Sequence, residues 1–209
     1  MVLRPFREAF GEGERSVNAS VLAVLTRGTR DDRENLKKFF NEKIVGIEHA
    51  FFSKEDSLNL RIHLRGVSFS VSIRPAREGA VEREVKEYES DWSGCRPDAE
   101  AEEKAGKVLG FLKSSRYVIV EVMPLVRNFF LSGRPDIMLW EEGPKRIVAF
   151  VRYWGQKAEK SDDTGMSVVA VLNEHVSVED LCAFLNRLTL ELQELIAPVS
   201  LYNMVEGGG

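Results

Sequence analysis

The sequence predicts an α+β fold in which an antiparallel β-sheet packs against helices, with a long amphipathic helix at the C-terminal end. The first observation is strict alternation of apolar and polar residues over 57–65 and again over 67–74, the two-residue period of half-buried strands. The second is a row of leucines at helical spacing between Ser177 and Pro198. The third is a composition of 44% hydrophobic and 30% charged residues, which excludes a wholly disordered chain.

The chain has 209 residues, enough to bury one sizeable core. We expect a single domain over 1–200, with two sub-halves at about 1–95 and 96–200 as the alternative, and a flexible tail over 201–209. Two cysteines cannot form a disulfide framework, and no apolar run approaches the roughly 18 residues of a membrane span. With no signal-peptide pattern, these features predict a cytoplasmic protein without a membrane partner. The 24 Glu and 18 Arg against 2 Gln are typical of a thermophilic source.

Capping residues and apolar periodicity place the helices. The predicted helices are a short one capped by Ser16, one from the capping-box pair Asp31 and Glu34 to about Lys43, one over about 80–91, one over about 98–113, and one from the capping-box pair Ser177 and Asp180 to Pro198. Pro198 is expected to end the last helix because proline lacks a backbone N–H and clashes with the preceding turn.

Alternating or β-branched runs between turn residues place the strands. The predicted strands are 44–52, 57–65, 67–74, 116–123, 135–140, 145–154 and 167–172. Gly66 marks a tight turn between the second and third strands, and 141–144 turns the hairpin between the fifth and sixth. The polar stretch 156–165 is expected to be a loop.

The polar side of the 57–74 hairpin is the first candidate site. Residues 57–77 contain four arginines and no acids, and serine hydroxyls between guanidinium groups are suited to phosphate contacts. The following segment, 78–104, contains ten acids and four bases. A solvated sheet face, or a face covered by that acidic segment through ion pairs, is the alternative.

The 145–154 strand is the second candidate, because alternation puts Phe150, Arg152 and Trp154 on one face, where aromatic rings could stack on bases. Its other face is also largely apolar, so a central strand covered on both sides is the alternative. The predicted nucleic-acid-binding residues are Arg61, His63, Arg65, Ser70, Ser72, Arg74, Arg77, Phe150, Arg152 and Trp154.

The last helix has leucines at the 4-3-4-3 spacing of a coiled-coil seam, which would pair two subunits. The predicted dimerisation residues are Leu181, Leu185, Leu188, Leu192 and Leu195. Phe184 and Ile196 widen the stripe, so packing on the protein's own sheet is the alternative.

The segment from Arg134-Pro135-Asp136 to Trp154 resembles the hairpin of PD-(D/E)xK nucleases. In that family the first Asp and a later acid bind Mg²⁺ beside a lysine. Phe150 stands where the acid should be and Arg152 where the lysine should be. A second alignment puts Asn59, Ser72 and Arg74 in the three places. The resemblance therefore implies an inactive relative that still binds nucleic acid.

We therefore expect a non-catalytic binding protein whose favoured ligand is single-stranded or flexible nucleic acid. The alternatives are a protein-interaction or assembly subunit, which the net charge of −4 favours, and a degenerate nuclease-like protein. A protein partner or homodimer would bind through the C-terminal helix. No nucleophile, phosphate-loop or dinucleotide motif occurs, and the three histidines lack metal-ligand spacing, so no catalytic residue, cofactor or metal is expected.

Overall fold

The computed structural model describes residues 20–53, 57–77, 79–85, 99–125, 138–154 and 165–206. The described helices are α1 Val21–Arg27, α2 Arg30–Lys43, α3 80–85, α4 Ala99–Leu112 and α5 Val178–Glu206. The described strands are β1 Ile47–Phe52, β2 Leu58–Leu64, β3 Val67–Pro75, β4 Tyr117–Pro124, β5 Met138–Glu142, β6 Lys145–Trp154 and β7 Gly165–Asn173. The predicted α+β class is confirmed.

The seven described strands form one antiparallel sheet in the order β1-β2-β3-β4-β7-β6-β5. Strands β1, β2 and β3 pair in chain order, and so do β5, β6 and β7. Strand β4 lies between the two groups, because it pairs with β3 on one side and with β7 on the other. Every predicted strand has a counterpart, with ends shifted by no more than a few residues. The predicted loop over 156–165 lies outside the described residues apart from Gly165, which begins β7.

The two faces of the sheet are covered to different extents. One face forms the main core, because α1, α2 and α5 pack on it and all strands contribute apolar side chains. Every second side chain is buried from Leu58 to Ile62 in β2 and from Val67 to Ile73 in β3. On the second face, α3 and α4 cover an apolar cluster whose strand residues come from β4, β6 and β7. The β1–β3 part of that face carries polar side chains instead.

The β2–β3 turn consists of Arg65 and Gly66, both with positive φ, at 48° and 87°. This two-residue turn matches the right-handed twist of the strands that it joins. The predicted turn at Gly66 is therefore confirmed. Arg65 belongs to the turn and not to the strand.

The start of α2 differs from the prediction. Thr29 is the N-cap: its hydroxyl oxygen accepts from the Asp32 N–H at 3.2 Å, and its own N–H donates to the Asp32 carboxylate at 2.8 Å. The capping box is therefore Thr29 with Asp32, because Asp31 already lies inside the first turn and cannot cap it. The Thr29 hydroxyl also donates to the Asp32 carboxylate at 2.8 Å, and this bond, with the one from the Thr29 backbone N–H, lowers the pKa of Asp32. The predicted end near Lys43 is confirmed.

The start of α5 is confirmed, because Ser177 and Asp180 form the expected reciprocal capping bonds. The prediction that Pro198 ends this helix is wrong, since α5 continues to Glu206. Proline forfeits one backbone hydrogen bond in a helix interior, but the bonds of the turns on either side remain available. The first part of the expected tail, 201–206, is therefore helical, while 207–209 lie outside the described residues. Ser16 and the predicted helix end at 86–91 also lie outside them.

Asn173, at the end of β7, connects three backbone segments and is 1% exposed. Its side-chain oxygen accepts from the Arg146 N–H at 3.1 Å. Its amide donates to the carbonyls of Leu112 at 3.2 Å and Pro144 at 2.8 Å. One side chain thus fixes the end of α4 and the β5–β6 turn against β7.

Replacing Asn173 with alanine is expected to lower the free energy of unfolding by about 2–4 kcal/mol, because several buried polar groups lose their partners at once. Asn59→Ala, on the half-buried polar part of the sheet, should cost less than about 1 kcal/mol. Guanidinium denaturation of both variants measures the difference. Equal destabilisation would contradict the structural role given to Asn173.

Candidate functional site

The part of the second sheet face formed by β1–β3 and the adjoining half of β4 is here named the polar face. Its members are His49, Phe51, Asn59, Arg61, His63, Ser68, Ser70, Ser72, Arg74, Glu121 and Met123. His49, Arg61 and His63 are exposed, and Phe51 is 54% exposed although it is a large apolar side chain. The polar face therefore presents both cationic and aromatic groups to solvent.

Strand pairing arranges these side chains in rows across the sheet. The arginine row contains His49, Arg61, Ser70 and Met123, one from each of β1 to β4. The phenylalanine row contains Phe51, Asn59, Ser72 and Glu121 in the same strand order. Neighbours within a row are about 4.8 Å apart between strands, and the two rows lie about 6.7 Å apart along the strands. The sheet thus places the row that contains Arg61 beside a row with a ring at one end and a carboxylate at the other.

The acidic segment covers one arginine of the polar face. The guanidinium of Arg74 contacts the Glu84 carboxylate of α3 at 2.7 Å, and the Glu84 side chain is only 12% exposed. Arg61, Arg65 and Arg77 are exposed. Within the described residues, the expectation of a face covered by acids therefore holds at Arg74, whose charge is neutralised, and not at the other three arginines.

The other predicted residues of the β2–β3 hairpin lie partly on the polar face and partly in the turn. His63 is on the polar face with its Nδ1 3.0 Å from the Ser68 hydroxyl oxygen. Ser70 and Ser72 are half-buried between the neighbouring strands. Arg65 lies in the β2–β3 turn beyond the end of the face, so the prediction that alternation continues through it is wrong, because the turn interrupts the pleat.

At Phe150, the second predicted site does not present the exposed ring that base stacking needs. Phe150 is fully buried in the cluster under α3 and α4, so its assignment as a stacking residue is wrong in this conformation. Val148 beside it is also buried on that face, while Ile147 and Ala149 are buried on the other. This is the alternative of a strand covered on both sides. The side chains of Arg152 and Trp154 lie outside the described part of the structure.

The leucines of α5 belong to the main core. Leu181, Leu185, Leu188 and Leu192 are each at most 4% exposed and pack with the sheet. Their prediction as a dimer seam is therefore wrong, because the apolar stripe is already buried within the chain. The side chain of Leu195 is not among those described.

Phe51 and His49 were missed as site residues because β1 is irregular. One extra residue lies between Ile47 and His49 relative to β2, a β-bulge that moves the following side chains to the opposite face. Gly46 just before it has a φ of 76°, and a Cβ there would lie 2.2 Å from the His63 carbonyl oxygen. Gly46 is the residue in the sequence that could have indicated this bulge, since a glycine beside a strand marks a place where two backbone segments come close together.

Cys182 and the carboxylates of the described residues are further candidate sites of chemistry. Cys182 is buried, and this burial raises the pKa of its thiol, which makes it an unreactive core residue. The described residues contain no group of three or more His, Cys, Asp or Glu placed to hold a metal ion.

None of the described helices combines the length and apolar character that a membrane crossing requires. Pro135 and Asp136 lie outside the described residues, so the nuclease resemblance stays a prediction.

Searches against protein-family models, curated proteins and solved structures found no match to this chain.

The ion pair between Arg74 and Glu84 leads to a stability prediction. Arg74→Ala is expected to lower the free energy of unfolding by about 1 kcal/mol, because it leaves a mostly buried carboxylate without this partner. Arg61→Ala, on the same face but exposed, should change it by less than about 0.5 kcal/mol. Guanidinium denaturation measures both values. A loss at Arg61 as large as that at Arg74 would contradict the distinction drawn between the two arginines.

Proposed function

We propose that this protein binds single-stranded nucleic acid on the polar face. The observation that carries the proposal is an exposed cation and an exposed aromatic ring on neighbouring strands of one face: Arg61 on β2 and, in the next row, Phe51 on the edge strand β1. Single-strand binding surfaces combine these two groups, because phosphates need positive charge and unpaired bases need a flat ring on which to stack.

The arginine row supplies the phosphate contacts in this proposal. Arg61 is flanked by His49 and Ser70, so a forked cation lies between an imidazole and a hydroxyl, both of which donate hydrogen bonds to phosphate oxygens. Arg65 in the adjoining turn and Arg77 beyond β3 add positive charge at the two ends of the hairpin. Arg74 contributes little, because Glu84 already neutralises it.

The aromatic group favours a single strand over a duplex. Phe51 is exposed at the sheet edge, where it can stack only on a base that is not already stacked within a helix. The polar face is also a sheet surface rather than a protruding helix or two-stranded ribbon of the kind that enters the major groove. An unpaired strand lying across the sheet therefore fits this surface better than double-stranded DNA.

A protein-interaction role is the second candidate. Among the described strands β1 pairs with β2 alone, so its outer edge is a place where another chain could pair, and exposed Val45 and Phe51 lie at or near that edge. A stable protein partner in the absence of oligonucleotide binding would favour this candidate.

Arg61→Gln tests the phosphate contact. It is expected to weaken binding of a fluorescein-labelled 12-mer of deoxythymidine about tenfold at low salt, because one charged hydrogen bond is lost. The slope of log K against log salt should also become shallower by about 0.7, the value for one phosphate contact on a single strand. Fluorescence anisotropy over a salt series measures both quantities.

Arg30→Gln is the matched control, since Arg30 is an exposed arginine on α2, in the layer behind the other sheet face. It removes the same charge and should leave affinity and slope nearly unchanged. If the two variants lose affinity alike, the interaction is with net charge and the site assignment fails. If the unmodified protein does not bind the 12-mer at low salt, the proposed function itself fails.

Phe51→Ala tests base stacking. Loss of one stacked base is worth about 1–3 kcal/mol, so affinity for the same 12-mer should fall at least fivefold with an unchanged salt slope. Leu139→Ala is the control, because Leu139 is 57% exposed on the opposite edge strand, β5. An equal effect of the two substitutions, or none at Phe51, would count against the stacking role.

A further inference from the structure

We propose that the polar face distinguishes between bases, and that Glu121 makes it prefer cytosine over thymine or uracil. This inference rests on the proposed function, since it names the class of single strand that the same surface binds best. The starting point is that Glu121, an acid, lies among groups that suit a nucleic acid. Its carboxylate would repel a phosphate, so it is expected to contact another part of the ligand.

Glu121 lies on β4 at the boundary between the open and covered halves of the second face. Its strand partners are Ser72 of β3 and Val169 of β7, and Val169 belongs to the apolar cluster under α3 and α4. The Glu121 side chain is half-buried, and among the described residues no hydrogen bond or ion pair engages its carboxylate. The Glu121 carboxylate, a hydrogen-bond acceptor, therefore lies between the apolar cluster that contains Val169 and the side chain of Ser72.

The two rows give the bound strand a direction. A nucleic-acid backbone that follows the arginine row across the sheet keeps its phosphates near His49, Arg61 and Ser70. Its bases then lie over the phenylalanine row, which begins at Phe51 and ends about 14 Å away, three strand spacings along, at Glu121. The base at Phe51 is held by stacking, and a base further along the strand reaches Glu121. The carboxylate is thereby separated from the phosphates by the distance between the rows.

The chemistry of the carboxylate selects the base. An ionised glutamate only accepts hydrogen bonds, and cytosine presents an amino group, N4–H₂, where thymine and uracil present a carbonyl oxygen. Cytosine thus donates to Glu121, whereas thymine or uracil would bring two acceptors together without a proton between them. The Ser72 hydroxyl beside Glu121 is placed to donate to a ring nitrogen or carbonyl oxygen of the same base. Both bases have a single ring, so stacking does not differ greatly between them.

Binding of fluorescein-labelled 12-mers of deoxycytidine and deoxythymidine, at neutral pH and one salt concentration, tests this inference by anisotropy. The protein is expected to bind the cytidine strand about tenfold more tightly. Glu121→Gln should bring that ratio close to one, because the glutamine amide both accepts and donates. Glu121→Asp should also reduce the ratio, because it keeps the charge but shortens the side chain by one methylene group.

Glu42→Gln is the matched control, since Glu42 is exposed on α2, in the layer behind the other sheet face, and its removal changes the net charge equally. It should leave the ratio at the value of the unmodified protein. Ribocytidine and uridine 12-mers form parallel arms, in which the same preference is expected.

The outcomes separate this inference from the function on which it rests. Equal binding of the two strands by the unmodified protein, or a ratio that Glu121→Gln leaves unchanged, overturns the base preference while single-strand binding stands. Absence of binding to every strand overturns the proposed function as well. A ratio that Glu42→Gln changes as much as Glu121→Gln assigns the effect to net charge and also overturns the inference.

Discussion

The unequal burial of the two faces of one antiparallel sheet is the constraint on which the rest of this structure depends. A fully buried aliphatic or aromatic side chain contributes roughly 1.5–3 kcal/mol, so the face lined by residues such as Leu60, Phe69 and Ile73 must be covered, and α1, α2 and α5 cover it. On the second face, the buried apolar strand residues come from β4, β6 and β7. The described helices α3 and α4 cover that half, and His49, Phe51, Arg61 and His63 of the polar face stay exposed.

The position of the candidate site follows from this division. The border between the covered and open halves runs along β3 and β4, where Arg74 meets Glu84 of α3 and Glu121 lies beside Val169. A helix that extended further over the sheet would have to bury Arg61 and His63, and burying charge without a partner is costly. The same polar side chains that limit the second helical layer are therefore those available to a ligand.

Most elements of the fold could be predicted from the sequence, because strand alternation, capping boxes and turn residues act over a few neighbouring residues. The exceptions have identifiable causes. Thr29 caps α2 in place of Asp31 because the helix begins two residues earlier than the acidic run suggests. Pro198 does not end α5, because a 29-residue helix keeps the backbone hydrogen bonds of its other turns when one bond is lost. The bulge in β1 reverses the faces of its side chains, which periodicity alone does not reveal.

By itself, the sequence determined that β2 and β3 form a hairpin with one apolar and one polar face, since side-chain direction along a strand is set by the pleat. It also determined the start of α5 through Ser177 and Asp180. Only the tertiary structure decided that Phe150 is buried while Phe51 is exposed, and that Glu121 lies beside Ser72. These outcomes depend on which strands pair and which helix covers each face. Both are set by contacts between residues far apart in the chain, which no local pattern specifies.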